Sequence, residues 1–236
     1  MRKEIVLRYV YAALFASLLG LGLYAEHVRV TGESVLSALN VALAADTVFL
    51  LGVVLLLGPL SRLFVIFDRL LIYRKELGIM SFFTGFIHVY MVMFPLAHNG
   101  PWGLYRSRPF SAYPGLEALI ILFILLLLSW NWAMHKLGTK LWWQIQYWGV
   151  RTAFMLIVLH MMVLKYSTIL AWTAPVLSSI PKETLGPPII VWEAQFVLLV
   201  LLIRFSELFG KTAARIITQI STLIIVSTMI LVTIYG

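Results

Sequence analysis

The sequence predicts an all-α fold, a polytopic membrane bundle of about seven transmembrane helices with a cytoplasmic N-terminus. Hydrophobic residues fill 61% of the 236 positions and charged residues only 12%, and the mean hydropathy is +0.96. Globular domains average about 45–50% apolar and about 25% charged residues. The composition therefore excludes a soluble domain, a disordered chain and a collagen-like fibre.

Seven stretches have the roughly 20 mainly apolar residues that cross a bilayer as a helix. They cover residues 5–24, 37–60, 77–97, 115–134, 143–165, 189–204 and 213–235. We interpret residues 1–236 as a single transmembrane domain. The first stretch is too long for a signal peptide, contains the basic residue Arg8 and is followed by no small-residue cleavage site, so we expect a retained helix.

The basic residues give the orientation, because short cytoplasmic loops carry the excess of Lys and Arg. With the N-terminus inside, the inner side holds Arg2, Lys3, Arg8, Arg62, Arg69, Arg74, Lys75, Lys136, Lys140, Arg204, Lys211 and Arg215. The outer side holds Arg29, Arg106, Arg108, Lys165 and Lys182, and Arg151 lies within a span. This asymmetry explains the pI near 9.8 without a nucleic-acid partner. We expect an integral protein of a prokaryotic inner or plasma membrane.

Two segments between the spans have a predicted character. The longest loop, 166–188, is placed outside and contains several prolines. Residues 61–76, on the inner side, alternate apolar and charged side chains, which favours an interfacial amphipathic helix. No glycine loop that could cradle a phosphate is present, so any nucleotide chemistry must come from another protein.

Few ionisable residues fall deep within the predicted spans, and such residues are functional candidates because a charge in a bilayer is costly. They are Asp46, His88, Arg151 and His160. Asp46 could relay protons or pair with a base, or its span boundary could be misplaced. Arg151 could contact a haem propionate or a quinone head group, or it could extend to the inner interface. The remaining acidic and histidine candidates are expected at interfaces or in solvent: Glu117, Glu193, His27, His98 and His135.

His88 and His160 form a candidate pair. Both predicted helices run from inside to outside, and at 1.5 Å per residue His88 lies roughly 16 Å deep and His160 roughly 21–25 Å deep. Two imidazoles at similar depth can ligate both faces of one haem iron. The chain has no cysteine, which excludes covalent haem attachment and leaves a b-type haem. Alternatively, each histidine only hydrogen-bonds across a helix interface.

Two motifs resemble the ferric-reductase-like transmembrane domain family. Arg74-Lys75-Glu76-Leu77-Gly78-Ile79 precedes Phe82, Phe83 and His88-Val89-Tyr90. Ser129 precedes Ala133-Met134-His135-Lys136-Leu137-Gly138, which is followed by Trp142 or Trp143 and then by His160. The resemblance covers about residues 48–165, and we assign a core at about 37–165 with extra helices within 189–235. The branch it resembles most is the haem-binding membrane subunit of the periplasmic methionine sulfoxide reductase system.

The resemblance implies a b-type haem protein that relays electrons across the membrane. His88 and His160 would bind the haem iron, and Arg151, Arg106, Arg108 and Tyr147 are the candidate cofactor-binding residues. Alternatively, Arg106 and Arg108 are ordinary loop charges, and Tyr147 belongs to an interfacial aromatic belt. The donor would be a cytoplasmic flavin reductase or a quinol, so quinone or flavin enters through a partner. The acceptor outside would be a partner reductase or ferric iron. We expect an electron-transfer subunit of an oxidoreductase rather than a complete enzyme.

The chain departs from the family at one ligand position. The family commonly has a second histidine 13 residues before the last one, and this chain has Tyr147 there. The residues therefore permit one haem rather than two. The competing hypothesis is a membrane transporter or assembly subunit without haem. Transporter sites often use helices broken near mid-membrane, and no mid-span Gly/Pro pair occurs here, which argues against transport.

Overall fold

The computed structural model describes residues 2–96, 102–173 and 186–235, and these residues form helices and no strand. The helices are α1 (Arg2–Thr31), α2 (Val35–Leu63), a 3-10 helix (Val65–Tyr73), α3 (Arg74–Met93), α4 (Gly103–Ser107), α5 (Pro109–Leu128), α6 (Asn131–Leu137), α7 (Thr139–Thr173), α8 (Ile189–Ser206) and α9 (Lys211–Tyr235). Within the described ranges, seven stretches are long and apolar enough to cross a bilayer. The predicted all-α membrane bundle is confirmed, and the chain is an integral membrane protein.

The fourth and fifth spans have boundaries that differ from the predicted ones. The fourth span begins at Pro109 and ends at Leu128, six residues earlier than predicted at each end, because Ser129 closes it by donating from both N and Oγ to the Leu126 carbonyl. The fifth helix continues to Thr173, so part of the predicted outer loop 166–188 is helical, and residues 174–185 of that loop lie outside the described residues. Residues 65–73 of the predicted amphipathic segment form the 3-10 helix, and its place at the inner interface stays a prediction.

Helix α2 lies at the centre of the bundle, where it packs against α1, α3 and α8, while α5 packs mainly on α7. Small residues recur on α2 at Ala38, Ala42 and Ala45, all fully buried, and their spacing of three and four places them on one helix face. In lipid, helices associate by close packing and interhelical hydrogen bonds rather than by burial from water. The small side chains allow the neighbouring backbones to approach.

A hydroxyl cluster fixes α3 against α2. Thr47 Oγ1 and Thr84 Oγ1 lie 3.0 Å apart, and Ser81 Oγ donates to the Thr47 carbonyl at 3.1 Å. A Cβ atom on Gly85 would lie 3.2 Å from Thr47 Cγ2, so this crossing is close. His88 lies one helical turn beyond Thr84 on α3. The contacts between Thr47 and α3 therefore also fix where His88 lies along α2.

The outer ends of α1 and α2 hold a buried histidine. His27 was expected in solvent, but it is only 5% exposed and its Nε2 lies 3.4 Å from Glu33 Oε2. Glu33 also accepts a hydrogen bond from Ser37 Oγ at 2.5 Å. That bond and the neighbouring imidazole lower the pKa of Glu33. The expectation for His27 was wrong because its helix continues seven residues past the predicted end and meets α2 there.

Two other expectations for ionisable residues have clear outcomes. Glu193 was expected at the outer interface and is instead buried in α8, 6% exposed. His135 is exposed, as predicted. His98 lies outside the described residues.

Gly138 joins α6 to α7 in a conformation with φ 76° and ψ 149°, a region that only glycine adopts readily. We expect Gly138→Ala to destabilise the fold by about 1–3 kcal/mol and so to lower the melting temperature of the detergent-purified protein by several degrees. Gly210→Ala is the matched control, because Gly210 also precedes a helix but has no positive φ and open space at its Cβ. Equal melting temperatures for the two variants would contradict the prediction.

Candidate functional site

The two candidate ligands lie on two helices that both pack against α5. His88 lies on α3 and His160 on α7, and the charge of one imidazole acts on the other. Both side chains are half-buried. The similar depth of the two imidazoles in the membrane stays a prediction.

His88 is oriented by α2. Its Nδ1 lies 3.2 Å from the backbone carbonyl oxygen of Asn40. A carbonyl can only accept a hydrogen bond, so Nδ1 carries the proton in a neutral imidazole. The other ring nitrogen, Nε2, then keeps its lone pair and can ligate a metal.

His160 is oriented by α5 in the same way. Its Nδ1 lies 2.5 Å from the carbonyl oxygen of Ser111. Gly115, one turn further along α5, makes this contact possible: a Cβ atom there would lie 2.9 Å from Nδ1 and 3.1 Å from Cε1 of the ring. The imidazole of His160 therefore packs against the α5 backbone at Gly115. Its Nε2 keeps a lone pair that can ligate a metal.

These two residues fit a haem iron. Histidines that ligate metals almost always donate their second ring N–H to a carbonyl or carboxylate, which fixes the tautomer and strengthens the ligand. Both His88 and His160 have this partner. A porphyrin occupies the equatorial positions of iron, so the protein needs to supply only the axial ligands. In the described part of the chain, no group of three or more His, Cys, Asp or Glu residues could hold a metal ion.

The outer arginine candidates lie near the His160 end of α5. Arg108 immediately precedes α5, and its carbonyl accepts from Ser111 N at 3.3 Å and from Ala112 N at 3.0 Å. Arg106 is on the short helix α4, and both side chains are exposed. Arg108 thus supports through its backbone the segment that holds His160, while its guanidinium is open to the outer side.

The inner candidates Tyr147 and Arg151 lie apart from the histidine pair. The Arg151 guanidinium sits 3.3 Å over the Tyr147 ring and NH1 donates to the Tyr147 carbonyl at 2.7 Å. Tyr147 also stacks on Trp143, with ring centroids 4.7 Å apart. Thirteen residues of helix, about 20 Å, separate Tyr147 from His160. The four predicted cofactor-binding residues are therefore divided between the two ends of the bundle.

A cavity at the inner end was missed by sequence reasoning. Its volume is about 300 Å³, and its lining includes Arg74, Lys75, Ser129, Trp142 and Gln146. The lining comes from α2, the 3-10 helix, α3, α5 and α7. Tyr147 also lines it, so the position where the family commonly has a second histidine faces this cavity in the present chain.

Asp46 is buried in the middle of α2, 1% exposed, so its expected deep position does not result from a misplaced span boundary. Its Oδ1 has no hydrogen-bond partner in the described structure. Gly20 on α1 packs nearby: a Cβ atom there would lie 3.8 Å from Asp46 Oδ2. Proton relay by Asp46 stays a prediction.

One comparison with known families matches most of the segment over which the resemblance was found, but not His160. A model of the family described as "Ferric reductase like transmembrane component" matches residues 43–158. No curated protein gives a significant match to the chain. The matched segment runs from α2 to α7 and ends two residues before His160. Its similarity to a ferric-reductase-like transmembrane domain indicates a role in membrane electron transfer.

Proposed function

We propose that this protein carries electrons across the membrane through one non-covalent haem b, which His88 and His160 would hold. The observation that supports this most is the matched arrangement of the two imidazoles. They come from separate helices, lie within electrostatic range, and each has its Nδ1 on a backbone carbonyl. The haem would supply the one-electron iron couple.

The chain's own residues would set the properties of this couple. The Asn40 and Ser111 carbonyls accept the Nδ1 protons and make both imidazoles stronger donors. Strong donors favour the ferric state, so these hydrogen bonds lower the potential. Helices α2 and α5, which carry the carbonyls, also shield the imidazoles from lipid and water.

The proposal also includes the direction of electron transfer and the partner proteins. The donor is a cytoplasmic flavin reductase or a quinol on the inner side, near Tyr147 and Arg151. The acceptor is a partner reductase or ferric iron on the outer side. There Arg106 and Arg108 are exposed and suit an anionic partner surface or the haem propionates. A relation to the haem subunit of the methionine sulfoxide reductase system, in a prokaryotic inner membrane, is part of this proposal.

A single haem held by His88 and His160 would leave the inner side of the membrane without a second haem. Tyr147 stands where the family commonly has a second histidine, and its ring contacts Arg151 and Trp143. We propose that electrons enter the haem from a donor bound on the inner side rather than from a second haem.

The experiment is the haem content of the purified protein. The chain is expressed with haem supplied, purified in detergent, and its dithionite-reduced minus oxidised spectrum is recorded. We expect sharp b-type α and Soret bands and one haem per chain, with no haem retained after acidified-solvent extraction because attachment is non-covalent. A folded, monodisperse and colourless protein would favour the transporter or assembly subunit, and two haems per chain would contradict the single-haem proposal.

A further inference from the structure

Four arginine side chains converge at the inner end of the bundle, each from a different helix. They are Arg62 on α2, Arg74 on α3, Arg151 on α7 and Arg204 on α8. The charge on Arg74 interacts with those on Arg62 and Arg204, and the charge on Arg151 interacts with those on Arg74 and Arg204. We call these four residues the inner arginine cluster.

The cluster carries more positive charge than its counter-ion balances. Among the described residues, Glu207 is the one carboxylate whose charge acts on Arg74 and Arg151. Its Oε1 lies 3.0 Å from Arg62 NH1, and its other oxygen is bound by Arg204. The Arg204 side chain is only 15% exposed, so water screens it little. One carboxylate facing four guanidinium groups leaves a site that favours a further anion.

The inner arginine cluster borders the inner cavity. Arg74 belongs to both, Lys75 lines the cavity, and Tyr147, which lines it too, holds Arg151 over its ring. Arg74 and Lys75 are at the inner start of α3. Further lining residues, such as Leu51 on α2 and Leu122 on α5, come from the apolar middle of their helices. The cavity therefore runs from a cationic inner mouth to apolar walls.

We propose that this cavity and the inner arginine cluster bind the phosphate of an anionic phospholipid from the inner leaflet, with the first part of an acyl chain along the apolar walls. Basic pockets between membrane helices on the cytoplasmic side suit anionic head groups, and guanidinium groups bind phosphate oxygens in pairs. A neutral quinone would leave the excess charge unbalanced, and a free phosphate ion would leave the apolar walls uncovered. The site does not depend on the haem.

The test compares lipids and variants by the melting temperature of the full chain in detergent. Phosphatidylglycerol at about 100 times its Kd is expected to raise the melting temperature by roughly 5–10 °C, and phosphatidylcholine much less. In Arg74→Gln, phosphatidylglycerol and phosphatidylcholine are expected to change the melting temperature equally. Arg69→Gln is the matched control, because it removes an exposed charge of the same inner surface and should keep the difference. Arg74→Lys keeps the charge and should retain most of it.

Several outcomes would overturn the proposal. An equal loss in Arg74→Gln and Arg69→Gln would assign the lipid preference to general surface charge. Equal stabilisation by inorganic phosphate would replace the lipid with a soluble anion, and equal stabilisation by a neutral quinone would show that charge is not recognised. If Arg74→Gln does not fold, Lys75→Gln replaces it in the comparison of the two lipids. Lys75 lines the same cavity and is exposed.

Discussion

Replacing either His88 or His160 with alanine is expected to reduce haem content at least about tenfold, since each variant removes one of two axial ligands and leaves the iron with a single protein ligand. The measurement is haem per chain and the reduced-minus-oxidised spectrum of the purified variants. His135→Ala is the matched control, because His135 is exposed on α6 and should leave the spectrum unchanged. Parent-like spectra in both alanine variants would contradict ligation by this pair.

A ligand role and a packing role can be distinguished by a variant that still ligates. His160→Met replaces imidazole with a thioether, which binds haem iron and raises its potential. We expect this variant to keep haem and to show a midpoint potential well above that of the parent. A histidine that only hydrogen-bonds to the Ser111 carbonyl would give no such change, since a thioether cannot donate that bond.

The fold could be predicted from the sequence because hydropathy alone marks a lipid-crossing helix. Hydropathy is less informative about helix ends. α5 begins at Pro109, before the apolar run, because proline fits the first turn of a helix. Polar residues at the outer end of α7 continue the helix to Thr173. His27 could not be assigned for the same reason: its burial depends on how far α1 extends beside α2.

The histidine pair could be proposed from the sequence because the proposal needs only helix direction and a rise per residue. The hydrogen bonds that orient the two imidazoles could not be predicted, because the Asn40 and Ser111 carbonyls belong to other helices and carry no side-chain signature. The inner arginine cluster and its cavity are harder still to predict. Each of four helices contributes one arginine, and in the sequence each of these looks like an ordinary cytoplasmic flanking charge.

Gly115→Ala is expected to displace the proposed ligand His160, although the substitution is on α5 and His160 is on α7. The new methyl carbon would stand 2.9 Å from Nδ1, closer than side-chain Cβ atoms approach neighbours, so the ring must move away from α5 and from the Ser111 carbonyl. Losing that hydrogen bond weakens the imidazole as a donor. The midpoint potential of the haem should then rise by about 60 mV, which for one electron corresponds to a tenfold shift in favour of ferrous iron.

A spectroelectrochemical titration measures this shift, and Gly58→Ala provides the control because nothing lies within 4 Å of a Cβ atom at Gly58 on α2. The bulkier Gly115→Val should go further and lose haem, since it forces the imidazole out of reach. In haem-free protein, Gly115→Ala should lower the melting temperature relative to Gly58→Ala, because the same clash strains the α5–α7 contact whether or not iron is bound. A parent-like potential in Gly115→Ala would mean that His160 Nε2 does not ligate the iron, because a ring displaced at Nδ1 cannot leave a bond at its other nitrogen unchanged.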